Sequence, residues 1–235
     1  MPFDIPIANA WLAYSQSGGI GKAIVIGQLV LSMWVWFVML ERAYELKHEK
    51  NAMAMFREKF SKSRHLLDIY LGPRPHYGGA MAAMYRKACD RIASLLPQAG
   101  GALSMSTRLS EGRRELVKAT LEESLSYETL RIERNMWVLA LGASVAPLIG
   151  LFGTVLGIMQ AFQAMGATGS ALLSDVAPGL SSALLTTVVG LVVAIPSSVG
   201  YSMVLERIRA INVMLDAFAD EFLGRLTLEM GPGEE

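Results

Sequence analysis

Between Asn135 and Leu205 the chain carries a single charged side chain, Asp175. An apolar run lies on each side of it: Trp137 to about Phe162, WVLALGASVAPLIGLFGTVLGIMQAF, and about Ala177 to Leu205, APGLSSALLTTVVGLVVAIPSSVGYSMVL. Each exceeds the ~20 residues an α-helix needs to cross ~30 Å of hydrocarbon, so the pattern predicts a transmembrane hairpin. A short turn is expected near Met165 to Ser174.

The hairpin is too rich in small and hydroxylated residues for a simple anchor. Gly142, Ala146, Gly150, Thr154, Gly157 and Ala161 follow steps of three and four and fall on one helix face. Pro178, Ser182, Thr186, Gly190 and Ala194 make a second such face, with Thr187 beside it. Small residues let backbones approach closely, because association in lipid rests on packing and polar contacts. Helix packing alone accounts for these stripes as they stand.

A third apolar run, about Ile20 to Leu40, is interrupted only by Lys22, Gln28 and Ser32. Lys22 is near enough to the end to snorkel. Ahead of it, Pro2 to Ser17 is too short to span and, with Trp11 and Tyr14, suits the membrane interface. The expected order is an interfacial segment at 1–17, spans at 18–40, 136–162 and 177–205, a polar loop at 41–135, an outer turn at 163–176 and an amphipathic tail at 206–235. The fold class is thus all-α integral membrane, with three transmembrane helices, two of them extended into the cytoplasm as long helices.

Charge sets the expected orientation. Of the 21 Lys and Arg, only Lys22, Arg207, Arg209 and Arg225 lie outside 41–135. Those near span ends are Arg42, Lys47, Lys50, Lys118, Arg131, Arg134, Arg207 and Arg209, so the positive-inside rule puts the long loop and C-terminus in the cytoplasm. The N-terminus and the turn are then periplasmic. Met1 to Ser17 has no Lys or Arg, which argues against a cleaved signal peptide.

In the loop, Arg42 to Leu67 lacks Gly and Pro and reads as one helix, broken by LGPRPHYGG at Leu71 to Gly79. Ala80 to Leu96 reads as a second helix, ended by Pro97 to Gly101. A third starts at Ser110, its hydroxyl placed to cap the backbone, and is expected to enter the membrane at Trp137 without interruption. In the tail, Leu205, Ile208, Ile211, Leu215, Phe218, Phe222 and Leu226 recur at helical spacing and need a partner surface, on the loop helices or on a neighbouring subunit. Gly231 to Glu235 reads as a frayed end.

Several function classes fall away. Formal net charge is zero, so nucleic acid is not an expected partner. Cys89 is the only cysteine, and His48, His65 and His76 are too widely spaced for a helix-borne metal pair. No span contains a histidine to serve as base for an intramembrane serine nucleophile, and no phosphate-binding loop is present, so the chain is not expected to be an enzyme or to hold a cofactor or metal. An ion path normally includes an intramembrane ionisable group, and the paired spans supply none. Either the chain moves no ions, or a partner brings that group. Thr154, Ser182, Thr186 and Thr187 would then hydrogen-bond it, unless each is bonded to its own helix carbonyls.

The segments APLIGLFGTVLGIMQAF (Ala146 to Phe162) and APGLSSALLTTVVGLVVAIP (Ala177 to Pro196) resemble the ExbB/TolQ branch of the MotA/TolQ/ExbB proton channel family. The resemblance is specific over 135–205. It implies a stator subunit of a bacterial inner-membrane motor driven by the ion gradient, with H⁺ as the transported ion and Na⁺ left open. It also implies a homo-oligomeric ring, commonly a pentamer, around two copies of a single-span ExbD/TolR-like partner whose membrane aspartate accepts the proton. By motif, Thr154 and Thr187 match the family's pore-lining threonines, with Ser182 and Thr186 beside them. Gly150, Gly153 and Gly157 of GLFGTVLGI, together with Gly179 and Gly190, belong to the same motifs. Pro147 and Pro178 match motif prolines expected at the outer parts of the helices. The family usually carries a glutamate five residues before the second threonine, where this chain has Ser182. That departure leaves iron-uptake, Tol and gliding-motility roles open, and a non-conducting membrane scaffold is the competing expectation.

Overall fold

A computed structural model describes residues 11, 13–15, 17–72, 78–96, 109–168 and 173–230. Its helices are α1 (Gly19–Lys62), the single turn α2 (Asp68–Leu71), α3 (Ala80–Leu95), α4 (Glu111–Glu133), α5 (Met136–Thr168) and α6 (Leu173–Met230). Among the described residues there is no strand. α1, α5 and α6 are each long and apolar enough to cross a membrane. The chain forms two compact units, Met1–Arg42 with Asn135–Val204, and Ala43–Arg134 with Leu205–Glu235.

In the first unit, α5 and α6 run antiparallel in close contact. A Cβ on Gly142 would stand 2.8 Å from Ser197 Oγ, one on Gly150 2.9 Å from Thr186 O, and one on Gly157 2.7 Å from the Ala183 methyl. Partner numbers fall along α6 as they rise along α5, and at each crossing hydrogen replaces a side chain the neighbouring backbone would exclude. The small-residue stripes are therefore the contact surface of the two helices. α1 lies against this hairpin through Leu31, which packs on Ala146, Val193 and Ala194. Trp34 meets Trp137 edge to face, 5.4 Å between centroids.

The second unit is built around rings. Phe56 and Phe60 of α1, Tyr85 of α3, and Phe218 and Phe222 of α6 are all buried, with Phe60 and Phe218 5.1 Å apart at 70°. The helical stripe of the tail thus finds its surface within this chain, with Ile208, Ile211, Leu215 and Leu226 also buried. Glu229 accepts the Leu66 amide on both carboxylate oxygens at 3.0 Å, and the Leu109 amide donates to Met230 O at 2.9 Å.

The structure departs from expectation at several joints. α1 stops at Lys62 instead of running to Leu67, because Arg225 takes the Phe60 carbonyl at 3.0 Å and Asp68 draws in the amides of Arg64 and His65. Ser110 occupies the N-cap of α4, but its hydroxyl makes no capping bond; its carbonyl accepts Arg113 and Arg114 instead. The passage from α4 to α5 is interrupted, with Asn135 at φ 65°. Asn enters the left-handed region at lower cost than other side chains with a Cβ, so it ends one helix and starts another without glycine. Helix also occupies much of the segment expected as the outer turn, since α5 runs to Thr168 and α6 begins at Leu173. Pro147 lies in the half of α5 nearer Met136 and not towards the turn, whereas Pro178 is near the start of α6. The expected breaks at 73–77 and 97–101, the residues joining α5 to α6, most of the N-terminal segment and the C-terminal end lie outside the described residues.

Candidate functional site

The sequence places hydroxyls one turn apart on α6, at Ser182 and at the adjacent Thr186 and Thr187, and one on α5, Thr154. Packing sorts them into two environments. Thr154 and Thr187 hydrogen-bond to each other through their hydroxyls, either of which can be the donor, and both side chains are half-buried. Thr186 and Ser182 are buried.

One backbone atom organises the pair. The Gly150 carbonyl oxygen lies 3.2 Å from the hydroxyls of Thr154, Thr186 and Thr187 alike. Ala183 O is a second acceptor, 3.1 Å from Thr154 Oγ1 and 2.7 Å from Thr186 Oγ1. Each hydroxyl has one proton to donate and lone pairs to accept. When Thr154 donates to Thr187, Thr187 is free to donate to Gly150 O. When Thr187 donates to Thr154, Thr154 donates to Gly150 O or Ala183 O. The pair therefore has alternative proton arrangements on one set of heavy-atom positions. The glycines set the distance, since a Cβ on Gly153 would meet Thr186 Oγ1 at 2.5 Å.

Ser182 has a different role in the fold from the threonine pair. Its hydroxyl donates to Ser17 Oγ at 2.7 Å, and Ser17 donates to Ala13 O at 2.7 Å. A Cβ on Gly21 would lie 3.0 Å from Ser182 Oγ, so the space around this position is taken by the start of α1. A glutamate here would need room that Gly21 and Ser17 occupy. Ser182 thus ties the beginning of the first span to the third.

Gln28 was visible in the sequence as a polar break in an apolar run, yet its place in the site was not. It is fully buried, and its amide nitrogen donates to Ala146 O at 3.3 Å. Its side-chain oxygen is buried without a hydrogen-bond partner among the described residues. Leaving such an acceptor unpaired costs about 1–3 kcal/mol. Ser17 was likewise missed, because it lies 165 positions from Ser182 in sequence.

The structural prolines and glycines surround this layer. Gly190 faces Gly150, with a Cβ on Gly190 3.2 Å from Gly150 Cα, and Gly179 faces Ala161 at 3.0 Å. Pro147 and Pro178 sit inside their helices without ending them. The site has no charged side chain of its own, since 136–168 and 177–205 contain no Asp, Glu, His, Lys or Arg. No group of three or more His, Cys, Asp or Glu with metal-binding geometry occurs among the described residues. The arrangement offers neutral, reorientable hydrogen bonds. Around it, Leu151, Val155, Leu184, Val188 and Leu191 present apolar side chains to the exterior of the chain.

Residues 83–217 match the MotA/TolQ/ExbB proton channel family. The chain is 27% identical to the Tol-Pal system protein TolQ of Pseudomonas aeruginosa, over 94% of each protein. It is 30% identical to TolQ of Haemophilus influenzae, over 86% of this chain and 89% of that one. To the biopolymer transport protein ExbB of Salmonella typhimurium it is 28% identical, over 92% of this chain and 85% of the relative.

Proposed function

The chain belongs to the MotA/TolQ/ExbB proton channel family, and from that premise we propose that it is the ring-forming stator subunit of a motor driven by the proton-motive force. In this reading it lies in a bacterial inner membrane with its N-terminus periplasmic and its C-terminus cytoplasmic. It surrounds a single-span ExbD/TolR-like partner, two copies within a pentameric ring. The work serves an envelope process: outer-membrane transport, envelope integrity or gliding motility. Relatives from the Tol and biopolymer-transport branches match to a similar degree, so the proposal concerns their shared mechanism.

One observation carries it: the half-buried Thr154–Thr187 hydroxyl pair in two spans that have no Asp, Glu, His, Lys or Arg of their own. A path for charge needs a titratable acceptor, and this chain leaves it to a partner. Protons enter from the periplasmic side, protonate the partner's membrane aspartate beside the threonine pair, and leave to the cytoplasm as ring and partner turn relative to each other. One charge moved through 100 mV gains ~2.3 kcal/mol, while an aspartate at the membrane centre costs ~2.5–3.5 kcal/mol to insert. The two are close enough that local hydroxyls decide which state of the acid is favoured. The pair's alternative donor arrangements allow it to donate to the carboxylate and to accept from the acid without moving a helix. The apolar exterior of α5, with Leu148, Leu151, Phe152, Val155 and Phe162 exposed on the single chain, supports contact with lipid and neighbouring subunits.

The test is Thr187→Val in the assembled complex. The isosteric methyl keeps the packing and removes the hydroxyl. Proton uptake and the energised process are expected to be lost while the complex still co-purifies. Wild-type activity in this variant, together with indifference of the process to a protonophore, would favour a non-conducting scaffold that only assembles partner proteins.

A further inference from the structure

The first span meets the hairpin where Gly150 and Gly190 face each other, and Gln28 fills that point. Its amide nitrogen lies 2.9 Å from where a Gly190 Cβ would stand, so glycine at 190 is needed to admit it, and 3.4 Å from a Gly150 Cβ. The amide holds Ala146 O, and one helical turn along α5 the Gly150 carbonyl holds the three threonine hydroxyls. Successive carbonyls on one side of α5 are thus fixed by α1 and by the threonine layer. A leucine would fill similar volume without burying an amide in an apolar bundle, so packing alone gives no reason for glutamine. We propose that Gln28 is a positioning residue for the ion path: its amide locks α1 to α5 at Ala146 and thereby fixes the level and separation of Thr154 and Thr187.

This inference rests on the reading of the threonine pair as an ion path. It extends the site from two helices to three. Gln28 acts through the α5 backbone, so what matters is its hydrogen-bond donor and not its bulk. The surrounding segments 136–168 and 177–205 have no charged side chain and one phenol, Tyr201, and on its own helix the ionisable group nearest to Gln28 is Lys22. An acid introduced at position 28 would therefore find no charged side chain of this chain in the site, and would titrate alongside the partner aspartate proposed beside the threonine pair. A protonated carboxyl donates to Ala146 O as the amide does; an ionised one does not.

The experiment compares wild type, Gln28→Leu, Gln28→Glu and Thr187→Val, each reconstituted in vesicles with its single-span partner. Proton uptake under an imposed potential is read with an entrapped pH dye, and assembly is read by size-exclusion chromatography. Gln28→Leu is expected to lower uptake roughly tenfold or more with the complex intact, the scale on which groups that orient a site act. Gln28→Glu is expected to restore uptake at acidic pH and to lose it as pH rises. Wild-type uptake by Gln28→Leu overturns the inference. So does loss of uptake only in step with loss of assembly, or failure of an assembled Gln28→Glu complex at every pH. Wild-type uptake by Thr187→Val overturns the ion-path reading itself, a result separate from any of these.

Discussion

The two units of this chain are held together by different materials. Where α5 meets α6, contacts run through glycine, backbone carbonyls and short hydroxyls, and the large apolar side chains point outwards. In the unit of Ala43–Arg134 and Leu205–Glu235 the large side chains are inside, with Phe56, Phe60, Tyr85, Phe218 and Phe222 at 1% exposure or less. The difference follows from the solvent. Lipid gives no reward for hiding oily surface, so helices gain by approaching closely and by sharing polar contacts. Water rewards burial of apolar area, and aromatic rings supply the most per residue. One sequence therefore carries two packing codes, and α1 and α6 each change code along their length.

The largest test of this contrast is a ring removed from each unit. Phe60→Ala should cost about 3–5 kcal/mol, because Phe60 is fully buried and touches rings from three helices. A lowered melting temperature in detergent and rapid proteolysis within 43–134 would show it. Phe152→Ala, at a side chain 57% exposed in the span unit, should leave the melting of the isolated chain nearly unchanged. Equal losses in both variants would break the comparison.

Methyl groups added to glycines come next, and their sign should reverse between units. Gly190→Ala places a Cβ 2.8 Å from the Ala146 carbonyl and should destabilise by about 1–3 kcal/mol, as overpacking does. Gly224, in the other unit, has nothing within 4 Å of its Cβ position, so Gly224→Ala should stabilise the helix by up to about 1 kcal/mol. Thermal melts of both variants beside wild type check the pair. A neutral Gly190→Ala would mean that α5 and α6 separate easily.

The same contrast explains what the sequence made legible. Spans are read from long uncharged runs, and the small-residue faces from steps of three and four, because lipid imposes both over twenty residues at a time. Thr154 and Thr187 emerged through their motifs, and the structure places them in contact. Three other features depended on partners remote in sequence. Ser182 finds Ser17, Gln28 finds a carbonyl on α5, and the tail's stripe finds rings on α1 and α3. The break at Asn135 was hidden because neither Gly nor Pro marks it; a left-handed asparagine between two helical patterns is decided by tertiary structure.

The smallest expected effect concerns a buried carboxylate cluster in the polar unit, for which the span unit has no counterpart among the described residues. Glu128 is 4% exposed, with Arg131 Nε 2.8 Å from its carboxylate. Glu49 accepts from the same guanidinium at 3.3 Å and from the Ala80 amide at the start of α3. Burial pushes the Glu128 carboxyl above the usual range, Arg131 pulls it down, Glu49 pushes it further up and Lys87 opposes that, with a net rise. A raised acid binds its proton more tightly folded than unfolded, so its contribution to stability is fullest below the unfolded value and is lost as pH rises through the folded one. Glu128→Gln cannot titrate and lacks this dependence. Wild type should therefore gain on Glu128→Gln as pH falls through the carboxylate range, by melting temperature measured side by side. A gap that is flat with pH would remove Glu128 as a titrating group; one that moves the opposite way would mean that Arg131 outweighs burial.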